Sequence, residues 1–250
     1  MLKRLIVAVV ALLSVAVQAD AAVFSYGNFL GTSYMYLDVV EDTRQQPDAL
    51  FGTPSILGNT LDFDPVSFAA NVSSVTGTSS SLIVDGQLNF TVMSNSDSTP
   101  ISLVRFTEAG DYSLAGLGAA QATASVAAPV RWTITHVDGA ALATPISGAD
   151  SLTFTPSGSF ALPGDLATGA LWDGELDVDV AGFAAANGIT GNVTKVEFAL
   201  DNTLTVAAAD GGSAGIFKKD FSGVIINVPE PGAVSLLVLG LAGFVARRRR

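Results

Sequence analysis

The chain has no cysteine. That excludes disulfides, thiol nucleophiles, thiolate-bound metals and Cys-x-x-Cys redox motifs. It has one histidine, His136, so no metal site can be built from several histidines, and a Ser-His-Asp triad would have to use this residue. Charged residues are only 14% of the chain, and the basic ones are the scarcer kind, 12 against 23 acidic. Half of the basic residues stand at the two ends. Residues 20–228 therefore hold six (Arg44, Arg105, Arg131, Lys195, Lys218 and Lys219) against 22 acidic residues, a net charge of −16. Such a domain is repelled by the phosphates of nucleic acid and by anionic lipid, which removes both as partners. No apolar run reaches the roughly 20 residues of a comfortable membrane-spanning helix.

Two shorter apolar runs are present, one at each end. Lys3 and Arg4 precede the first, Leu5 to Val17, and small residues follow at Val17-Gln18-Ala19 and Ala19-Asp20-Ala21. A basic n-region, a short apolar h-region and small residues around a cut site make up a secretory signal peptide. Signal peptidase is expected to cut after Ala19 or Ala21, and residues 1–19 are set aside on that ground. Export usually permits disulfides, but the roughly 200 residues that remain can bury a core without them.

The other end reads Val228-Pro229-Glu230-Pro231, then an uncharged run from Gly232 to Ala246, then Arg247-Arg248-Arg249-Arg250. The two prolines fix φ, remove two backbone donors and push their neighbours to extended geometry, so Glu230 sits in an accessible peptide that a processing enzyme can grip. The apolar run spans about 22 Å as a helix, against a bilayer core of about 30 Å. Arginine stems extend that length by snorkelling, and the positive-inside rule keeps Arg247, Arg248, Arg249 and Arg250 in the cytoplasm. The preceding chain is then outside. This order of short motif, apolar helix and arginine cluster resembles the PEP-CTERM sorting signal. The resemblance covers residues 228–250 alone. It implies recognition by an exosortase, a membrane transpeptidase-like enzyme of Gram-negative bacteria, and cleavage near Pro229-Glu230-Pro231. It also implies transient residence in the inner membrane and association with exopolysaccharide or biofilm matrix at the cell surface.

Between the ends, short runs rich in Val, Ile, Thr and Phe alternate with polar residues and are cut by Gly, Asn, Asp and Pro. That pattern predicts an all-β fold, a single β-sandwich of jelly-roll or Ig-like type over residues 20–227. Gly58-Asn59, Asp85-Gly86 and Asp201-Asn202 each separate two strand-like runs and are expected to be two-residue hairpin turns. Val130 to Val137 is a strand ending at Asp138-Gly139, Ala140 to Gly148 a connector around Pro145, and Leu171 to Val180 one long strand or a pair. Ala181 to Asn187 is the one helical turn, stopped by Gly188.

Four groups of residues are candidates for chemistry. In a strand, Glu175, Asp177 and Asp179 share one face while Leu176 and Val178 share the other. Carboxylates so placed repel one another unless water or a hard cation screens them, which makes them a candidate calcium site; a solvated polar face needs no ion. Trp132 and Trp172, with Tyr34, Tyr36 and Tyr112, are a candidate sugar-stacking platform, although aromatics more often fill a β core. Asp62 and Asp64 are a weak carboxylate pair of the kind a glycosidase needs, and His136 ends a strand near a turn. Three sequons, at Asn71, Asn89 and Asn192, match the glycosylation pattern. No assembled catalytic motif is expected and no cofactor is implied. The expectation is a non-enzymatic surface or matrix protein, with polysaccharide binding as the alternative and an extracellular hydrolase as the third class.

Overall fold

The protein is described here from a computed structural model that covers residues 22–44, 46–65, 67–219 and 224–230. The expected signal peptide, Pro231, the apolar run and Arg247 to Arg250 lie outside the described residues. Sixteen strands and one helix follow in order: β1 Val23–Leu30, β2 Tyr34–Asp42, β3 Ser55–Leu57, β4 Thr60–Phe63, β5 Ala69–Ser73, β6 Ser79–Ser94, β7 Leu103–Ala115, β8 Gln121–Ala127, β9 Pro129–Val137, β10 Ala140–Ser151, β11 Thr153–Thr155, β12 Ser159–Ala161, β13 Ala167–Asp179, α1 Val180–Ala186, β14 Val193–Ala209, β15 Ser213–Lys218 and β16 Val224–Asn227.

The strands form two eight-stranded antiparallel sheets, as the alternating pattern predicts. The first runs β1-β2-β6-β14; the far edge of β14 is shared end to end by β9, which carries β10, and β8, which carries β12. The second is built the same way around β7. One edge of β7 pairs β13, which carries β11, and the other is shared by β16, leading to β4 and β3, and β15, leading to β5. Each sheet thus hangs on one long strand that is straddled by two partners.

The sheets face each other across an aromatic core. Phe198 of β14 stands 5.5 Å from Phe90 in its own sheet and 5.5 Å from Phe106 of the opposite sheet. Along β14 the even positions from Val196 to Ala208 are buried, while the odd positions are partly covered or, at Glu197, exposed, which is the period-two signature of a one-sided strand. Burying each such phenylalanine contributes roughly 1.5–3 kcal/mol. The segment between β2 and β5 adds Leu50, Phe51 and Phe68 to this core. It is tied down by Glu41, a fully buried carboxylate that accepts from the backbone N–H groups of Leu50 and Phe51 and from the Tyr26 hydroxyl at 2.6 Å.

The turn expectations divide. Gly58-Asn59 closes the β3–β4 hairpin, with Gly58 at φ +63°. Asp138-Gly139 turns β9 into β10 with both residues at positive φ, the geometry of a type I′ turn. Asp85-Gly86 and Asp201-Asn202 are not turns: β6 and β14 run straight through them, and Gly86 lies directly opposite Asn202 in the ladder. The connector expected over Ala140 to Gly148 is strand β10, which pairs β9 with a register shift between Ala141 and Ile146 that absorbs Pro145. The helix and its Gly188 stop stand where expected, Leu171 to Asp179 belong to one strand, β13, and Val180 is the first residue of α1.

Candidate functional site

The sorting motif leaves the core abruptly. β16 is paired on both sides, with β4 and β7, and Val228 is fully buried with its N–H donating to Asn59 O at 3.2 Å. The buried Tyr36 hydroxyl lies 2.6 Å from Asn59 O and 3.0 Å from Ile226 O, so it braces the last strand against the β3–β4 turn. Two residues later Glu230 is exposed, its Oε1 near Ser33 Oγ (3.4 Å) and Asn59 Nδ2 (3.5 Å). Of the four motif residues Val228 is therefore part of the domain, and Pro229 and Glu230 lie at its rim.

On the solvent face of the first sheet a polar groove of about 340 Å³ runs across β2, β6, β14 and β9. Its walls come from cross-strand rows: Asn89, Ala199 and Arg131 in one, Thr91, Glu197 and Thr133 in the next. Asp38 closes one end from a bulge in β2, where its φ is +51° and its N–H donates to Asn28 Oδ1 at 2.8 Å. Alongside, Asp201 lies 3.9 Å from Arg44. Burial first, and then Asp85 beside it, push the Asp201 carboxyl above its ordinary value, while Arg44 and Arg131 pull it down. A trough of mixed charge and hydroxyl groups offers donors and acceptors to a polar ligand; Phe90, Trp132 and Phe198 also line it, but each residue is buried.

The expected aromatic platform does not exist. Trp132 is 8% exposed and Trp172 only 1%. Each lies over a glycine directly opposite in the neighbouring strand, Trp132 over Gly148 and Trp172 over Gly110; an added Cβ would come within 2.5 Å and 2.3 Å of the two rings. The missing side chain lets the indole lie flat in the core, so neither ring can stack on a sugar. Trp132 packs on Phe183 of α1, Trp172 on Phe154. Tyr34, Tyr36 and Tyr112 are buried too.

Glu175, Asp177 and Asp179 share the exposed face of β13 as their spacing predicts. Two of them have protein partners. Arg105 Nε and Nη2 donate to Asp177 Oδ1 and Oδ2, each at 2.6 Å, and this fork holds the Asp177 carboxyl below its ordinary value. Asp179 caps α1 by accepting from Gly182 N at 2.8 Å. Among the described residues no cluster of three or more His, Asp or Glu side chains is arranged to hold a metal ion. Arg105 and the helix cap thus engage Asp177 and Asp179, two of the three carboxylates on which the calcium expectation rests.

Two weaker candidates stay apart. His136 Nδ1 lies 3.1 Å from Thr135 Oγ1. Residues 211–215 spell Gly-x-Ser-x-Gly, but they join two strands, β14 and β15, rather than a strand and a helix, so the nucleophile elbow is absent. Asp62 has its carboxyl raised by burial and then by Asp64.

Sequence reasoning missed a polar layer inside the sandwich. Lys218 Nζ and Glu108 Oε2 form an ion pair whose side chains are 0% and 1% exposed. The ammonium also sits 5.3 Å from the Trp172 ring and 5.4 Å from the Phe68 ring. Burial pushes the Lys218 amine below its ordinary value against the pull of Glu108. Glu108 Oε1 and both amide atoms of Asn202 are buried without a hydrogen-bond partner. The only hint in the sequence was a lysine at an inward position of an apolar strand.

Comparison with known proteins bears mainly on the tail. Residues 227–250 match the family model of the PEP-CTERM protein-sorting motif. The chain therefore carries a PEP-CTERM sorting motif at its C-terminus. No curated protein matches the chain. Among solved structures it is similar to TmCBM61 in complex with β-1,4-galactotriose, at 9% identity over 65% of this chain and 72% of that one, with a TM-score of 0.23. It is also similar to the enzymatically active domain of tailspike protein 4 of bacteriophage CBA120, at 11% identity over 64% of this chain but only 19% of that one, with a TM-score of 0.22. The family 11 xylanase from Neocallimastix patriciarum gives 9% identity over 84% and 100%, with a TM-score of 0.20. Likenesses this slight carry no functional weight.

Proposed function

We propose that this is an exported surface or matrix protein of a Gram-negative bacterium, held briefly in the inner membrane, released by an exosortase at Pro229-Glu230-Pro231, and structural rather than catalytic in its β domain. The observation that carries this reading is the match of residues 227–250 to the sorting motif. The geometry supports it: the last strand locks Val228 into the core, and the chain emerges at Glu230. A processing enzyme would meet the motif flush against a finished domain. The test is fractionation of the full chain in a host with and without its exosortase. The expected result is a shortened, released form only where the enzyme is active, and retention in the membrane fraction when Pro229 and Glu230 are both changed to Ala. Release at the same rate in both hosts would overturn it.

A second reading, polysaccharide binding, now rests on the polar groove rather than on the tryptophans. Pull-down of the protein on exopolysaccharide, lost in Glu197→Ala and Arg131→Ala, is its expected signature; retention equal in wild type and both variants would remove the groove as the site.

A further inference from the structure

The buried polar layer has a composition that neither the sorting motif nor core stability explains. Lys218, Glu108 and Asn202 come from β15 and β7 of one sheet and β14 of the other. The register brings them to one level. β14 and β7 run the same way across the sandwich, because β14 turns into β15 at residues 210–212 and β15 is antiparallel to β7. Phe198 faces Phe106 at 5.5 Å. Two residues further along each strand, about 6.6 Å, Leu200 faces Glu108. One more such step brings Asn202 to Gly110, whose neighbours in its sheet are Lys218 on one side and Trp172 on the other. Phe68 bridges the same level. Its carbonyl accepts from Lys218 N at 3.0 Å, its ring lies beneath Nζ, and its ring tip would be 3.6 Å from a Cβ on Gly86, the residue opposite Asn202.

Glycines 86 and 110 make room at this level for apolar groups, Leu50, Phe51 and Phe68 against Gly86 and Trp172 against Gly110. The aromatic rings of Phe68 and Trp172 keep it dry. We propose that Lys218 and Asn202 join in an intramolecular isopeptide bond, formed without cofactor inside the folded core, with Glu108 as the proton-transferring catalytic residue. The Lys218 amine, once neutral, attacks Asn202 Cγ with its lone pair. Glu108, in contact with Nζ, takes the proton that the attacking nitrogen sheds and delivers a proton to Asn202 Nδ2. The Cγ–Nδ2 bond breaks, ammonia leaves, and the new Cγ–Nζ amide ties β14 to β15 across the two sheets. One amine and one amide give one secondary amide and one ammonia, so no oxidant or co-substrate is needed. Burial supplies one requirement of the step, because it disfavours the ammonium form of Lys218, and the contact of Glu108 Oε2 with Nζ supplies the other, a proton acceptor at the attacking nitrogen.

The sequence offers a clean readout, because trypsin finds no site between Lys195 and Lys218. The full chain is exported in a bacterial host, denatured, digested and mapped by mass spectrometry. The expected product is the peptide 196–219, uncut at Lys218, lighter than its sequence by one ammonia and silent in fragment ions between positions 202 and 218. In Asn202→Ala, cleavage after Lys218 returns. In Glu108→Gln the cross-linked fraction falls at least tenfold in protein whose circular dichroism is that of wild type. A dominant wild-type peptide 196–218 at its full sequence mass overturns the proposal, whatever the variants do. Loss of ammonia with cleavage after Lys218 intact also overturns it, because it reports a succinimide at Asn202 instead.

Discussion

Two adjacent levels of the same core are held by opposite physics. The level of Phe90, Phe106 and Phe198 is apolar on both sheets, and its rings meet across the sandwich. The level of Asn202, Gly86, Gly110 and Lys218, with Glu108 one step away, is polar, glycine-lined and capped by aromatic rings. The first stabilises the fold by burial. The second takes a charge pair and an amide out of water, and a buried ion pair rarely repays that desolvation in stability.

Breaking the first level has the largest expected effect. Phe198→Ala should destabilise the domain by about 3–5 kcal/mol, read from urea unfolding, because it opens a cavity where both sheets meet. Breaking one half of the second should cost about as much: Glu108→Ala strands a buried ammonium, at about 3–5 kcal/mol. Removing both halves separates the two kinds of level. In an Asn202→Ala background, which cannot cross-link, Lys218→Met with Glu108→Leu is expected to be neutral or stabilising by about 1–4 kcal/mol, an outcome no double truncation of the phenylalanine level can give.

The polar level should also respond to pH. The folded-state value of Lys218 lies below its unfolded value of about 10.4. Between the two the unfolded chain binds the extra proton, so the stability of Asn202→Ala should rise as pH climbs through that window towards the unfolded value, followed by urea midpoints. Wild type, with its amine consumed in an amide, should lack this rise.

Smaller effects mark the rim. Asp179→Ala removes the cap of α1, whose Phe183 covers Trp132, and should cost about 0.5–2 kcal/mol in thermal unfolding. Arg105→Ala breaks a fork whose two side chains are about half exposed, so its cost should stay below about 1 kcal/mol at neutral pH. Asp177 is held below its ordinary value by that fork. Its contribution is therefore complete above the unfolded value of about 3.9 and is lost as pH falls through the lower folded value; the two proteins should melt alike at about pH 2.

The same levels explain what could be read from the sequence. The alternation that predicts a two-sheet fold is a local property of each strand, and it also placed Glu175, Asp177 and Asp179 correctly on one face. Their partners were out of reach, since Arg105 lies 72 residues away along the chain and the cap depends on where a helix begins. Gly58-Asn59 and Asp138-Gly139 turn as their chemistry asks. Asp85-Gly86 and Asp201-Asn202 have the same chemistry but lie opposite one another in the middle of a long ladder, where pairing overrides the local preference. Those two apparent turns are half of the polar level. The tryptophans were misjudged for a related reason: whether an indole faces solvent or lies flat in the core was decided by a glycine on the next strand, which composition does not reveal. Only the tail was legible outright, because its meaning sits in consecutive residues.

Sorting and cross-linking together make one object, an internally cross-linked β domain that its tail delivers to the outside. The intact mass of the denatured mature protein, from a host with active exosortase, tests it most directly. The expected chain starts after Ala19 or Ala21, ends within Pro229-Glu230-Pro231 apart from whatever the enzyme attaches there, and yields a domain lighter than its sequence by one ammonia. A mass that still includes Arg250 contradicts the sorting; a domain that retains that ammonia contradicts the cross-link.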